Sequence, residues 1–132
     1  MLRAGSILET VLYADDPAAA ARFYEDALGL QPIDGDGELF RALRVGPGSV
    51  LLLFNPALSI AEDRSVPPHG APGPGHLALT IDPGEYDAWL ARLGELGIPV
   101  EMEHPWPDGH RSIYVRDPAG NSVELITGDI WP

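Results

Sequence analysis

One pattern occurs twice along this chain, and it limits the fold more than any single residue does. In the first half an alternating stretch, Ile7 to Ala14, leads into Asp15-Asp16-Pro17. A stripe of Ala20, Phe23, Tyr24, Ala27 and Leu28 follows, and Gly29 comes next. In the second half His76 to Ile81 leads into Asp82-Pro83, then Tyr86, Trp89, Leu90 and Leu93, then Gly97. Alternation with period two marks a strand, and recurrence every three to four residues marks one face of a helix. An aspartate before a proline starts a helix, because the carboxylate accepts from the first free N–H groups and proline presets the helical φ. A glycine just past the stripe ends it. Each half therefore opens with a strand and a helix of nearly equal length.

The strands after each helix complete the unit. In the first half they lie near Glu38 to Val45 and Ser49 to Asn55, joined at Gly46-Pro47-Gly48. In the second they lie around Val100 to Glu103, Ser112 to Arg116 and Ser122 to Ile126. The turn Asp117-Pro118-Ala119-Gly120-Asn121 joins the last two as a β-hairpin: Pro118 presets φ, Gly120 accepts positive φ, and Asp117 and Asn121 bond nearby backbone. The chain reads as one domain of two βαβββ modules, about 6–56 and 76–127. Between them, 57–75 is an extended Pro/Gly-rich connector in which His69 is solvated. A module of this size buries little surface alone, so the two should pack together. The expected class is α+β: a curved mixed sheet with helices on its outer face and a concave cup on the other.

Bulk properties narrow the partners. A formal charge of −12 disfavours nucleic acid and anionic membranes, which select basic patches. With no cysteine, disulfides, thiolate nucleophiles and cysteine-ligated zinc are out. Met1 to Ser6 lacks the apolar core of a signal peptide, and no apolar run approaches the roughly 18 residues of a membrane span. A cytoplasmic protein is expected.

Three residues stand out chemically. Glu124 sits between Val123 and Leu125 in the middle of the strand Ser122 to Ile126 and shares a face with Ser122 and Ile126. A carboxylate there needs a wet face or a partner. His76 and Glu9 hold the same place in their repeats; with Leu77, Leu79 and Ile81 turned to the helix, His76, Ala78 and Thr80 face the cup. Two carboxylates brought together without a counter-charge repel. A divalent cation with both carboxylates and a neutral imidazole sums to zero charge. This donor set suits Zn, Mn, Fe, Co or Ni, and three protein ligands leave positions open for substrate. Trp106, His110, Arg111 and Tyr114 are candidate substrate-binding residues, Trp106 as an apolar wall and His110 or Arg111 as anion holders.

The chain resembles the vicinal oxygen chelate superfamily, which includes glyoxalase I, bleomycin-resistance proteins, extradiol dioxygenases and fosfomycin-resistance enzymes. The resemblance spans Ile7 to Ile126. It rests on Leu12-Tyr13-Ala14-Asp15-Asp16, Phe23-Tyr24 with Leu28-Gly29-Leu30, Gly75-His76-Leu77-Ala78, and Tyr114 through Leu125. It implies a paired βαβββ fold, a divalent metal on Glu9, His76 and Glu124, and chelation of the oxygens of a small oxygen-rich substrate. Glu9 and Glu124 would be the catalytic carboxylates, Glu9 the one that loosens to act as base. The family's first-strand ligand is often His or Gln, so Glu9 departs from it. Four-ligand glyoxalase I takes a further Glu late in the first half; here Val50 to Phe54 holds no acid, so that chemistry is not expected. The alternative the family offers is a metal-free protein that sequesters an antibiotic or similar compound. The resemblance also implies a homodimer, whose halves in some members exchange between chains.

Overall fold

The computed structural model describes residues 1–132. The chain divides into two compact units, 1–73 and 74–132. Each contains a four-stranded mixed sheet, and the class is α+β. No helix is long and apolar enough to cross a membrane.

The first unit runs β1 (Glu9–Tyr13), α1 (Pro17–Asp26), β2 (Gln31–Asp36), β3 (Phe40–Val45), β4 (Ser49–Phe54) and the single turn α2 (Pro56–Ser59). Its strand order is β1-β4-β3-β2, with β1 parallel to β4 and the other pairs antiparallel. The helix starts where the sequence places it: Asp16 Oδ1 accepts from Ala19 N at 3.0 Å and Pro17 is the first helical residue. Gly29, at φ +72°, turns the chain out. Alternation gives the sheet two faces. Leu12, Leu43, Leu51 and Leu53 share the buried one, on the side where α1 lays Ala20, Ala21 and Tyr24. Burying each leucine contributes about 1.5–3 kcal/mol. Glu9, Val11, Tyr13, Val50, Leu52 and Phe54 share the other.

Two parts of this unit differ from the sequence expectation. β2 has no apolar alternation; it is an exposed edge strand, bulged between Pro32 and Asp34 and paired only with β3. The connector is not extended throughout. Asn55 caps α2 through Ala57 N at 3.0 Å. Ser59, fully buried, donates its hydroxyl to His69 O at 2.6 Å, and His69 N returns a bond to Ser59 O at 3.0 Å. The loop so closed lays the His69 ring on the sheet. Its Nδ1 is 2.8 Å from the Tyr13 hydroxyl, and its ring meets Phe54 edge-on at 4.7 Å. His69 is a packing residue here.

The second unit runs β5 (His76–Thr80), a 3₁₀ turn at Pro83–Glu85, α3 (Tyr86–Glu95), β6 (Met102–Pro105), a turn at Pro107–Gly109, β7 (Arg111–Arg116) and β8 (Ser122–Ile126). The order β5-β8-β7-β6 repeats that of the first sheet, with β5 parallel to β8. Asp82 caps the 3₁₀ turn rather than α3 itself, and β6 begins later than its sequence suggested. The β7–β8 turn behaves as read. Asp117 Oδ1 accepts from Ala119 N and Asn121 N, both at 2.9 Å, and Gly120 takes φ +87°. Asn121 goes further: its Oδ1 accepts from Gly75 N at 2.7 Å, which fixes the start of β5 beside β8.

Candidate functional site

Strand pairing in the second unit decides which side chains meet. In the parallel pair His76 lies opposite Ser122 and Ala78 opposite Glu124; in the antiparallel pair Glu124 lies opposite Tyr114. Opposed residues point to the same face. His76, Ser112, Tyr114, Ser122 and Glu124 are therefore neighbours on one side of this sheet.

Glu124 is buried, 6% exposed, in a site made to hold a carboxylate. The hydroxyl of Ser112, itself fully buried, donates to Oε2 at 2.5 Å. The Trp106 indole N–H donates in turn to Ser112 Oγ at 2.7 Å. Oε1 lies 3.3 Å from His76 Nε2. His76 is half exposed, its other nitrogen Nδ1 is 3.0 Å from Ser122 Oγ, and its ring stacks near Tyr114 with centroids 6.3 Å apart. When Nδ1–H points at Ser122, Nε2 offers its lone pair toward the carboxylate. The Tyr114 phenol is raised above its usual range, first by burial and then by the charge of Glu124 and a hydrogen bond to it.

His76, Glu124 and Tyr114 thus share one face, and Trp106 reaches it through Ser112. Trp106 is tied to Ser112 through its nitrogen, and His104 meets its ring edge-on at 4.4 Å. His110 closes the short loop, its carbonyl accepting from Trp106 N at 2.7 Å; its ring packs against Gly128, where any side chain would overlap it. Arg111 is placed differently from the expectation. It precedes Ser112 and so turns to the opposite face, where its guanidinium sits 3.8 Å over the Tyr86 ring. That tyrosine donates to Glu103 Oε1 at 2.8 Å. Glu9 opens β1 in the first unit and is exposed. No group of three or more His, Asp or Glu side chains is gathered in the chain in a way that could hold a metal ion.

Sequence reasoning missed Ser112. The signal was present: counting back from the Asp117 turn puts Ser112 two residues from Tyr114, hence on the face of Glu124. The indole bond to it had no sequence signal, because it depends on the path of the 106–110 loop.

Comparison with known proteins places this geometry. The Glyoxalase/Bleomycin resistance protein/Dioxygenase superfamily matches residues 6–125. A crystal structure of lactoylglutathione lyase from Agrobacterium tumefaciens is 44% identical, with 98% of each chain covered and a TM-score of 0.91. A glyoxalase/bleomycin resistance protein/dioxygenase from Nocardioides is 26% identical, covers 100% of this chain and 91% of its own, and has a TM-score of 0.74. The fosfomycin resistance protein FosX of Mesorhizobium japonicum is 36% identical over 56 residues, which is 42% of this chain and 40% of that relative. The chain belongs to the Glyoxalase/Bleomycin resistance protein/Dioxygenase superfamily.

Proposed function

We propose that this chain is a divalent-metal-dependent enzyme that acts on a small oxygen-rich molecule by chelating its oxygens, and that it works as a homodimer. The observation that carries the reading is the 3.3 Å approach of His76 Nε2 to Glu124 Oε1, with each group held from behind by a serine. An oriented imidazole and an oriented carboxylate are the support a metal ligand pair needs. The donors fit Zn, Mn, Fe, Co or Ni. Glu9, which heads β1 as His76 heads β5, is the proposed third ligand, supplied by the second chain of the dimer, because no third ligand is gathered beside His76 and Glu124 within one chain. The unpaired edges of β1 and β5 support the dimer.

A bound ion would supply Lewis acidity toward substrate oxygens. The residues divide the remaining work. Glu124, held by Ser112, positions and does not move. Glu9, exposed, is the carboxylate suited to leave its place and take a proton. Tyr114 stays protonated well into alkaline conditions and serves as a hydrogen-bond donor. Trp106 and His110 border the substrate. Four-ligand glyoxalase I chemistry is not proposed, because Val50, Leu52 and Phe54 fill the β4 side of Glu9's face.

The test is elemental analysis of native protein beside Glu124→Ala, with solution mass measured on the same samples. About one divalent ion per chain, lost in the variant, and a mass of twice the chain support the proposal. Equal metal stoichiometry in both overturns the site, and a monomer overturns the dimer. Fosfomycin and lactoylglutathione are the first compounds to assay, because relatives carry their names. A protein that stays metal-free in metal-supplemented medium yet binds such a compound would be a sequestering protein.

A further inference from the structure

We propose that Ser112 and Trp106 are positioning residues that dictate which oxygen of Glu124 meets a cation, and that they couple the 106–110 loop to that oxygen. The inference rests on the metal reading above and adds residues to it.

The direction of the hydrogen bonds is fixed by chemistry. An indole nitrogen can only donate, so Ser112 Oγ accepts from Trp106. A serine hydroxyl has one proton, and a carboxylate only accepts, so Ser112 spends that proton on Glu124 Oε2. Ser112 is fully buried and has no water to turn toward. The hydroxyl is therefore locked, and the carboxylate is locked with it: Oε2 faces Ser112 and Oε1 faces His76. A cation approaching the imidazole meets Oε1. Without this clamp only the Tyr114 hydroxyl, which also bonds to Glu124, would restrain rotation of the carboxylate about its last bond.

The far end of the clamp lies in a loop. Trp106 N bonds to His110 O at 2.7 Å, and Asp108 within the loop holds φ +61°, so the segment is a tight closed turn. A ligand that shifts this turn pulls the indole from Ser112 and frees the hydroxyl. Loop position is thereby read at the carboxylate, through two hydrogen bonds.

The test uses the full chain and two readouts. The three tryptophans give three indole N–H signals in a ¹H–¹⁵N spectrum, and Trp106→Phe assigns the one of interest. We expect that signal to move in Ser112→Ala and in Glu124→Gln while the other two stay in place. We also expect Zn²⁺ affinity, from titration, to fall about tenfold in Ser112→Ala and by less in Trp106→Phe, as for other residues that orient a metal ligand. Should Ser112→Ala fail to fold, Trp106→Phe carries the affinity measurement. An indole signal indifferent to both substitutions overturns the clamp, as does unchanged Zn²⁺ affinity in Ser112→Ala and Trp106→Phe. A wild-type chain that takes up no Zn²⁺ overturns the cation half of the proposal with the metal reading. The indole signal then decides the clamp alone, upholding it by moving and overturning it by staying.

Discussion

β4 and β8 hold equivalent places: each pairs in parallel with the first strand of its unit and antiparallel with the strand before it. Their registers can be laid side by side. Glu9 corresponds to His76, Val50 to Ser122, Leu52 to Glu124, Ala42 to Tyr114 and Phe40 to Ser112. In the second unit these positions form an imidazole and a carboxylate with hydroxyls behind them. In the first, Glu9 apart, they form an apolar surface, with Phe40 and Phe54 stacked at 5.3 Å and His69 of the same unit laid over Phe54. Strand order decides which residues meet; four polar residues in place of apolar ones decide whether the meeting has chemistry. The lesson is that a repeated fold supplies two places for a site and the side chains equip them separately.

The comparison can be broken by moving a residue across it. Leu52→Glu puts a carboxylate at the counterpart of Glu124, between Val11 and Ala42, with no serine to hold it. Its half-buried charge is expected to cost about 3 kcal/mol in urea unfolding. It should add no bound metal by elemental analysis. A second equivalent of metal would mean that strand order alone makes the site.

The two hairpin turns offer a smaller contrast. Asn121 is 1% exposed; its side chain donates to Asp117 Oδ2 at 3.0 Å and accepts from Gly75 N. Asn121→Ala removes both bonds and is expected to cost about 2 kcal/mol. Pro47, in the exposed Gly46-Pro47-Gly48 turn, has no such role, and Pro47→Ala should stay within about 0.5 kcal/mol. Equal effects from the two, measured by chemical unfolding, would remove this difference between the units.

These contrasts also show what was readable beforehand. Asp16, Pro17, Gly29 and Gly120 announce their roles because cap and turn chemistry is local. His76 and Glu124 are readable because alternation assigns a face from a few neighbours. β2 is not readable: an edge strand with one pairing side tolerates Pro32, Asp34 and Gly35, so it carries no apolar signal. The positions of His69 and Trp106 depend on how loops close through Ser59 and His110, and those bonds leave no periodicity in the sequence. Arg111 misled because a loop residue was read by its charge, when its place next to Ser112 already gave it the other face.

That other face supplies the smallest contrast. In the first unit α1 meets its sheet through Ala20, Ala21 and Tyr24, all buried. In the second, α3 begins with Tyr86, 2% exposed, whose hydroxyl donates to Glu103 beneath the Arg111 guanidinium. The phenol is pushed up to about 12, first by burial, then by the hydrogen bond and charge of Glu103, with Asp87 adding to the rise and Arg111 opposing it. The folded protein therefore holds this proton more tightly than the unfolded chain, whose tyrosine ionises near 10. The resulting stability is full below pH 10 and is lost as pH climbs through about 12, because in that window the unfolded chain binds fewer protons. Tyr114, also raised, adds to the same loss. Tyr86→Phe should cost about 1.5 kcal/mol at neutral pH, the low end for a hydrogen bond to a charged group, because Glu103 is exposed to water. Between pH 10 and 12 its unfolding midpoint should fall less steeply than that of the wild type, leaving the slope that Tyr114 supplies. Parallel curves for the two proteins would show that the Tyr86 hydroxyl ionises alike in both states and that its bond to Glu103 does not separate them.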